Sequence, residues 1–225
     1  MHNFFDIVGF DLDGTLFDTA ADIAAAANHG LASIGRQPLP IEAFRPMIGL
    51  GGLHLMGEAL LATGGCEEGE LERLFPAWLA YYEANIANET RPFPGLLDAM
   101  DALDARGVKI AIVTNKRERF AVKLVEELGL THRFATVIGG DTMGPGNAKP
   151  SALPILEMIE RCGGGRTAFV GDSIFDTQAA KNAGVPSIAC AFGFLNGPVE
   201  ELQADAVIDH YDELIPVLER LSCLP

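Results

Sequence analysis

Apolar residues in this chain cluster into short runs, and stretches with helical spacing lie between them. The runs Ile7–Phe10, Val108–Val113, Thr136–Ile138, Thr167–Val170 and Ser187–Ala191 are apolar at almost every position, and a weaker one follows at Ala206–Ile208. A strand apolar on both faces is covered on both sides, as in a central parallel sheet. Helices are predicted over Leu96–Ala105, Arg117–Leu128, Ala152–Arg161, Ile174–Ala183 and Asp212–Leu221. Gly107, Gly129, Gly163 and Gly184 stand where the first four should stop. Strand and helix in strict alternation predict an α/β fold, a doubly wound Rossmann-like parallel sheet.

The pattern breaks after the first strand. Thr19–Ile34, Ile41–Ile48, His54–Ala62 and Glu67–Asn88 read as helices, with no convincing strand among them. Thr19 and Asp22 have the spacing of a capping box. "TRPFPG" (Thr90–Gly95), with two prolines and a glycine, reads as the return to the sheet. The expected organisation is a core of residues 1–16 and 90–225, interrupted by a helical insert over residues 17–89.

Charge narrows the function. A net charge of −15 argues against nucleic acid and anionic membrane surfaces as partners. The four cysteines are scattered without a C-x-x-C pair, as expected of reduced thiols. No basic leader followed by a long apolar stretch is seen. Nor is there an apolar run of about 18 residues. A cytoplasmic location is expected.

Ligands of open α/β sheets bind beyond the carboxyl ends of the strands. Four polar signals fall there: Asp11-x-Asp13-Gly14-Thr15, Thr114-Asn115, Lys149-Pro150 and Gly171-Asp172-Ser173-x-x-Asp176. Residues i and i+2 of a strand share a face, so Asp11 and Asp13 would approach one site if the strand continued that far. With Asp172 and Asp176 the site gathers up to four carboxylates, which repel unless a cation compensates. A hard divalent ion suits oxygen ligands, and Mg²⁺ is usual beside a phosphate. Gly14 would let the backbone turn closely around a ligand, and Lys149 with nearby N–H groups would hold an anion. Asn115-x-x-Glu118 and Ser173-x-x-Asp176 also fit helix N-caps, so both readings stand for these pairs.

Together these four motifs resemble those of the haloacid dehalogenase superfamily, in its phosphatase branch. The insert resembles that superfamily's cap. Within it, "DLDGTLFDTAADIAAAAN", "GGDTMGPGNAKP" and "VGDSIFDTQAAKNAGVPSIACAFGF" are most similar to the bacterial phosphoglycolate phosphatases. The resemblance implies hydrolysis of a small phosphorylated metabolite such as 2-phosphoglycolate, by a monomer or homodimer. It casts Asp11 as the nucleophile and Asp13 as the general acid/base, protonated by crowding. Asp11, Asp172 and the Asp13 carbonyl would ligate Mg²⁺, with Asp176 a weaker ligand or an orienter of its waters. Gly14, Thr114, Asn115 and Lys149 would bind phosphate. The loop "IGLGG" (Ile48–Gly52), with Gly49 and Gly51, would lie over the site. Arg45 and His54 beside it would meet a substrate carboxylate.

Other chemistries fit less well. Gly171-Asp172-Ser173-Ile174-Phe175 lacks the last glycine of a serine hydrolase elbow. "GPGNAKPS" is not a P-loop, and no H-E-x-x-H occurs. A phosphoacceptor signalling module would need no insert, and a true dehalogenase has no use for Asp13 or a metal. Sugar-phosphate phosphatase, pyrophosphatase and phosphoglucomutase-like activities on the same scaffold remain alternatives.

Overall fold

The computed structural model of the chain describes residues 4–223; residues 1–3 and 224–225 of the expected core range lie outside the described part. Six parallel strands form the main sheet: β1 (Ile7–Phe10), β4 (Lys109–Val113), β5 (Val137–Ile138), β6 (Thr167–Gly171), β7 (Ser187–Cys190) and β8 (Ala206–Ile208). Their spatial order is β5-β4-β1-β6-β7-β8. Counting sheet strands alone, this is the doubly wound order 3-2-1-4-5-6, and the direction of winding reverses beside β1.

The unbroken apolar runs divide by a period of two. Val8, Phe10, Ile110, Ile112, Ala168 and Val170 join one core, with buried residues of α5 (Leu96–Asp104), α6 (Glu118–Glu127) and α9 (Leu214–Ser222). Ile7, Ala111, Val113 and Phe169 join the other, under α7 (Leu153–Arg161) and α8 (Ile174–Ala183). Gly9 faces this second side, where a Cβ would come within 2.6 Å of Met158 Sδ. Its bare backbone lets α7 close on the sheet.

Between β1 and α5 lies the inserted helical cap. Its helices are α1 (Ala20–Ser33), α2 (Ile41–Phe44), α3 (Gly52–Ala62) and α4 (Glu70–Ala84). The single helix predicted over Ile41–Ile48 is split, because Pro46 falls in a 3₁₀ turn over Arg45–Met47. Arg36 ties the cap together, donating to the Leu60 and Gly65 carbonyls and pairing with Glu70 at 2.9 Å. Among the described residues, no helix is long and apolar enough to cross a membrane.

Two very short strands were not foreseen. β2 (Phe17–Asp18) and β3 (Arg91–Pro92) pair antiparallel where the chain leaves the sheet and where it returns. The capping box expected at Thr19 and Asp22 does not form. The Thr19 hydroxyl donates instead to Asp13, and the buried Asp22 carboxylate accepts from the Glu89 and Thr90 N–H groups and the Thr90 hydroxyl. The Asp13 turn took Thr19, distant partners took Asp22, and Asp22 clamps the return chain. Asp22→Ala leaves those donors unpaired in a closed site. It should cost about 3 kcal/mol in urea unfolding, and a loss below about 1 kcal/mol would exclude the clamp.

Candidate active site

The site lies at the carboxyl end of β1, where the winding reverses. Asp11 keeps the sheet's hydrogen bonding, its N–H donating to Val170 O at 2.9 Å. The strand then stops, so alternation does not place Asp13 as expected. A tight turn does: the Leu16 and Phe17 N–H groups return to Leu12 O, and the Gly14 N–H to Phe17 O. Gly14 has a φ of +85°, and a Cβ there would stand 2.1 Å from Asp172 Oδ2. Gly193 is bare for the same reason, since its Cβ would meet Asp172 Cβ at 2.3 Å.

Asp172 directly follows β6 and is gripped by the Thr15 hydroxyl at 3.2 Å and the Phe194 N–H at 2.6 Å. Asp176, in the first turn of α8, takes the Ser173 N–H and hydroxyl on Oδ2 and the Lys149 ammonium on Oδ1. It thus serves as helix cap and as site residue together. Asn115 does not cap α6; Asp141 accepts the Glu118 N–H instead. Asn115 Nδ2 donates to the Gly49 and Lys149 carbonyls, joining the cap loop to the core. Thr114 is buried, and its hydroxyl accepts the Lys116 N–H. Lys149, 5% exposed, contacts Asp11 at 2.7 Å, Asp176 at 2.5 Å and the Val113 carbonyl at 2.8 Å.

These contacts set the electrostatics. Burial pushes the Asp11 carboxyl up to about 6; Asp176 and Asp13 push the same way, and Lys149 opposes them. Burial, then Asp11 and Asp176, drive Asp172 well above the usual carboxylate range. Burial would lower the Lys149 ammonium, but Asp11 and Asp176 outweigh it and hold it above its ordinary value. One oxygen each from Asp11, Asp172 and Asp176 lies within 4.8 Å of the others, the spacing of ligands around one ion. With all four carboxylates ionised, the ammoniums of Lys149 and Lys116 would leave two negative charges uncompensated. An all-oxygen set short of two positive charges fits a hard divalent cation.

Lys116 is the residue that sequence reasoning missed. Its Nζ contacts both Asp13 oxygens at 2.7 Å, with the two side chains only 6% and 11% exposed. Burial would lower this ammonium too, yet Asp13 and then Tyr82 hold it above its ordinary range. The expected crowding of Asp13 is therefore answered by an opposite charge. Its position directly after Thr114-Asn115 was the available signal.

A cavity of about 320 Å³ opens over the cluster. Asp11, Asp13, Thr114, Asn115, Lys116 and Lys149 line its floor, with Gly49, Gly51 and apolar cap residues above. Arg45 and His54 are not brought to it. Arg45 pairs with Asp18 at 3.1 Å and covers the Phe194 ring, while His54 is exposed on α3.

The haloacid dehalogenase-like hydrolase family model matches residues 8–190. The chain is 42% identical to a phosphoglycolate phosphatase of Agrobacterium fabrum, over 93% of this chain and 90% of that protein. It is 38% identical to one from Mesorhizobium japonicum, over 96% of each. The solved structure of a predicted phosphoglycolate phosphatase from Haemophilus somnus superposes with a TM-score of 0.86 at 26% identity, covering 95% of this chain and 97% of that one.

Proposed function

We propose a function from one established premise: this chain belongs to the haloacid dehalogenase-like hydrolase family. It is a phosphatase that hydrolyses small phosphomonoesters through an aspartyl-phosphate, with 2-phosphoglycolate the favoured substrate. The observation that carries this reading is the buried oxygen triad of Asp11, Asp172 and Asp176, set beside Lys149 on a cavity that Asp13 also lines.

Lys149 holds Asp11 through Oδ1, and Oδ2 accepts no hydrogen bond from any described residue. Oδ2 is then the attacking atom. As its bond to phosphorus forms, the bond from phosphorus to the alcohol oxygen breaks, and that oxygen takes a proton from Asp13. Water next attacks phosphorus and gives a proton to Asp13, and release of phosphate restores the Asp11 carboxylate. Thr19 and Lys116 hold the Asp13 carboxyl in place. Thr114, Asn115, Lys149 and the backbone at Gly14 surround the transferring phosphoryl group. Mg²⁺ held by Asp11, Asp172, Asp176 and the Asp13 carbonyl would neutralise charge on that group. The cap, residues 17–89, selects the substrate. A cavity near 320 Å³ is at the small end for ligand sites and suits a compact metabolite.

Phosphate release from 2-phosphoglycolate, sugar phosphates, pyrophosphate and nucleoside monophosphates, with Mg²⁺ or a chelator, tests the reading. Mg²⁺-dependent release with the highest kcat/KM on 2-phosphoglycolate is expected. Isomerised sugar phosphate in place of free phosphate would overturn it. A second test is thermal. The Asp11 carboxyl is raised from 3.8 to about 6, so ionising it in the metal-free fold costs stability as pH rises through that window. The cost is about 3 kcal/mol above pH 6. Mg²⁺ should therefore raise Tm by several degrees at pH 8 and hardly at all at pH 5. An equal shift at both values would exclude Asp11 as a ligand.

A further inference from the structure

Three buried side-chain polar atoms have no hydrogen-bond partner among the described residues: Trp78 Nε1, Tyr82 Oη and Asn115 Oδ1. All three belong to residues that line the cavity over the acid cluster. Buried polar groups are normally paired, so such a concentration marks a place for ligand atoms. Asn115 Oδ1 is an acceptor and does not suit an anion. Tyr82 does. Burial pushes its phenol up to about 12, and Lys116 only partly offsets this, so at neutral pH the hydroxyl keeps its proton and donates. The residue is 4% exposed, and Trp78 stacks on its ring at 5.8 Å, fixing its direction.

Every cap residue that lines the cavity is uncharged. A substrate carboxylate entering this apolar ceiling must find its counter-charge on the core, because an unpaired buried charge is expensive. Lys149 is held beside Asp11 by Asp11, Asp176 and the Val113 carbonyl, on the side where the phosphoryl group is bound, and does not serve the alcohol half. Arg117 lines the cavity but is exposed, where an ion pair contributes little. Lys116 remains. Its side chain is only 6% exposed, both Asp13 oxygens take it at 2.7 Å, and it also interacts with Tyr82, with Nζ 5.1 Å from the ring centroid.

Building on the phosphatase reading, we infer that the Lys116 ammonium and the Tyr82 hydroxyl form a carboxylate subsite, which makes this enzyme prefer phosphomonoesters whose alcohol half bears a carboxylate. One donor comes from the core and one from the cap, so the subsite is complete only when α4 stands over β4. This assigns to Lys116 and Tyr82 the role that the sequence suggested for Arg45 and His54.

The test is steady-state kinetics on the full chain with Mg²⁺, comparing 2-phosphoglycolate with ethyl phosphate, which has no carboxylate. Tyr82→Phe removes only a hydroxyl, whose one electrostatic partner of opposite charge is the Lys116 ammonium. It should lower the kcat/KM ratio of the two substrates roughly tenfold, mainly through KM for 2-phosphoglycolate. Lys116→Met should lower that ratio roughly 10- to 100-fold, and Lys116→Arg should recover part of it. Equal losses on both substrates, or a wild-type enzyme that favours ethyl phosphate, would overturn the subsite and leave the phosphatase reading intact. If the wild-type protein releases phosphate from neither ester, the phosphatase reading falls and the subsite with it.

Discussion

Asp11→Asn should lower kcat by about 10,000-fold or more while leaving the metal-free protein at least as stable as the wild type. The first effect follows from the proposed mechanism: a carboxamide cannot form the acyl-phosphate that this mechanism requires. The second follows from the crowding. Burial and the neighbouring carboxylates of Asp176 and Asp13 raise the Asp11 pKa to about 6, so its charge is a burden at pH 8 in the absence of metal. Asparagine has the same shape, still offers Lys149 an oxygen, and removes that burden. The Mg²⁺-induced rise in Tm should shrink at the same time, because one ligand has lost its charge. Single-turnover kinetics and paired thermal melts check both halves. Activity within tenfold of wild type would refute the nucleophile assignment. A strongly destabilised apo variant would refute the electrostatic account.

The opposite sign is expected at Lys149. This ammonium, 5% exposed, is the buried counter-charge to Asp11 and Asp176. Lys149→Met keeps the length of the stem and removes the charge, leaving the carboxylate cluster without its main internal cation. Breaking a buried pair from one side costs about 3–5 kcal/mol, a large part of a typical folding stability. The pH dependence follows from the raised carboxyl of Asp11. A group whose folded pKa lies above its unfolded value takes stability from the fold as pH rises from the unfolded value through the folded one. Lys149 lowers the Asp11 pKa, so without it that carboxyl titrates above 6, and the variant's deficit should be greatest at pH 8 and narrow as pH falls toward about 6. Mg²⁺ should restore part of the stability at pH 8. Urea unfolding at both pH values, with and without Mg²⁺, measures this. A deficit that is constant with pH would show that Lys149 contributes by packing alone.

Much of the fold was legible because parallel strands buried on both faces leave a plain mark. The six runs of the main sheet were located to within a residue or two, and Gly107, Gly129, Gly163 and Gly184 follow the helices they were expected to end. Pro46 was as visible in the sequence as the glycines, yet its split of the Ile41–Ile48 helix was not anticipated. β2 and β3 could not be seen in advance. Two-residue strands have no period, and their pairing joins Phe17–Asp18 to Arg91–Pro92 across the whole cap. Thr19 and Asp22 also misled: their spacing is that of a local cap, but Thr19 turns back to Asp13 and Asp22 is taken by the return chain at Glu89.

The sequence alone determined the chemical inventory: which carboxylates, hydroxyls and lysine stand at the ends of which strands. Short motifs carry that information because strand ends and turns are local, and Gly14 or Asp13 is recognisable from its immediate neighbours. Tertiary structure decided how those charges are balanced and which side chains line the cavity. It set Lys116 on Asp13, turned Arg45 to Asp18, left His54 outside and brought Tyr82 from the cap to Lys116. Coulombic and hydrogen-bond energies depend on distance and burial, which chain separation does not report. A lysine after a strand and a tyrosine on an amphipathic helix look ordinary until the fold puts them 5 Å apart.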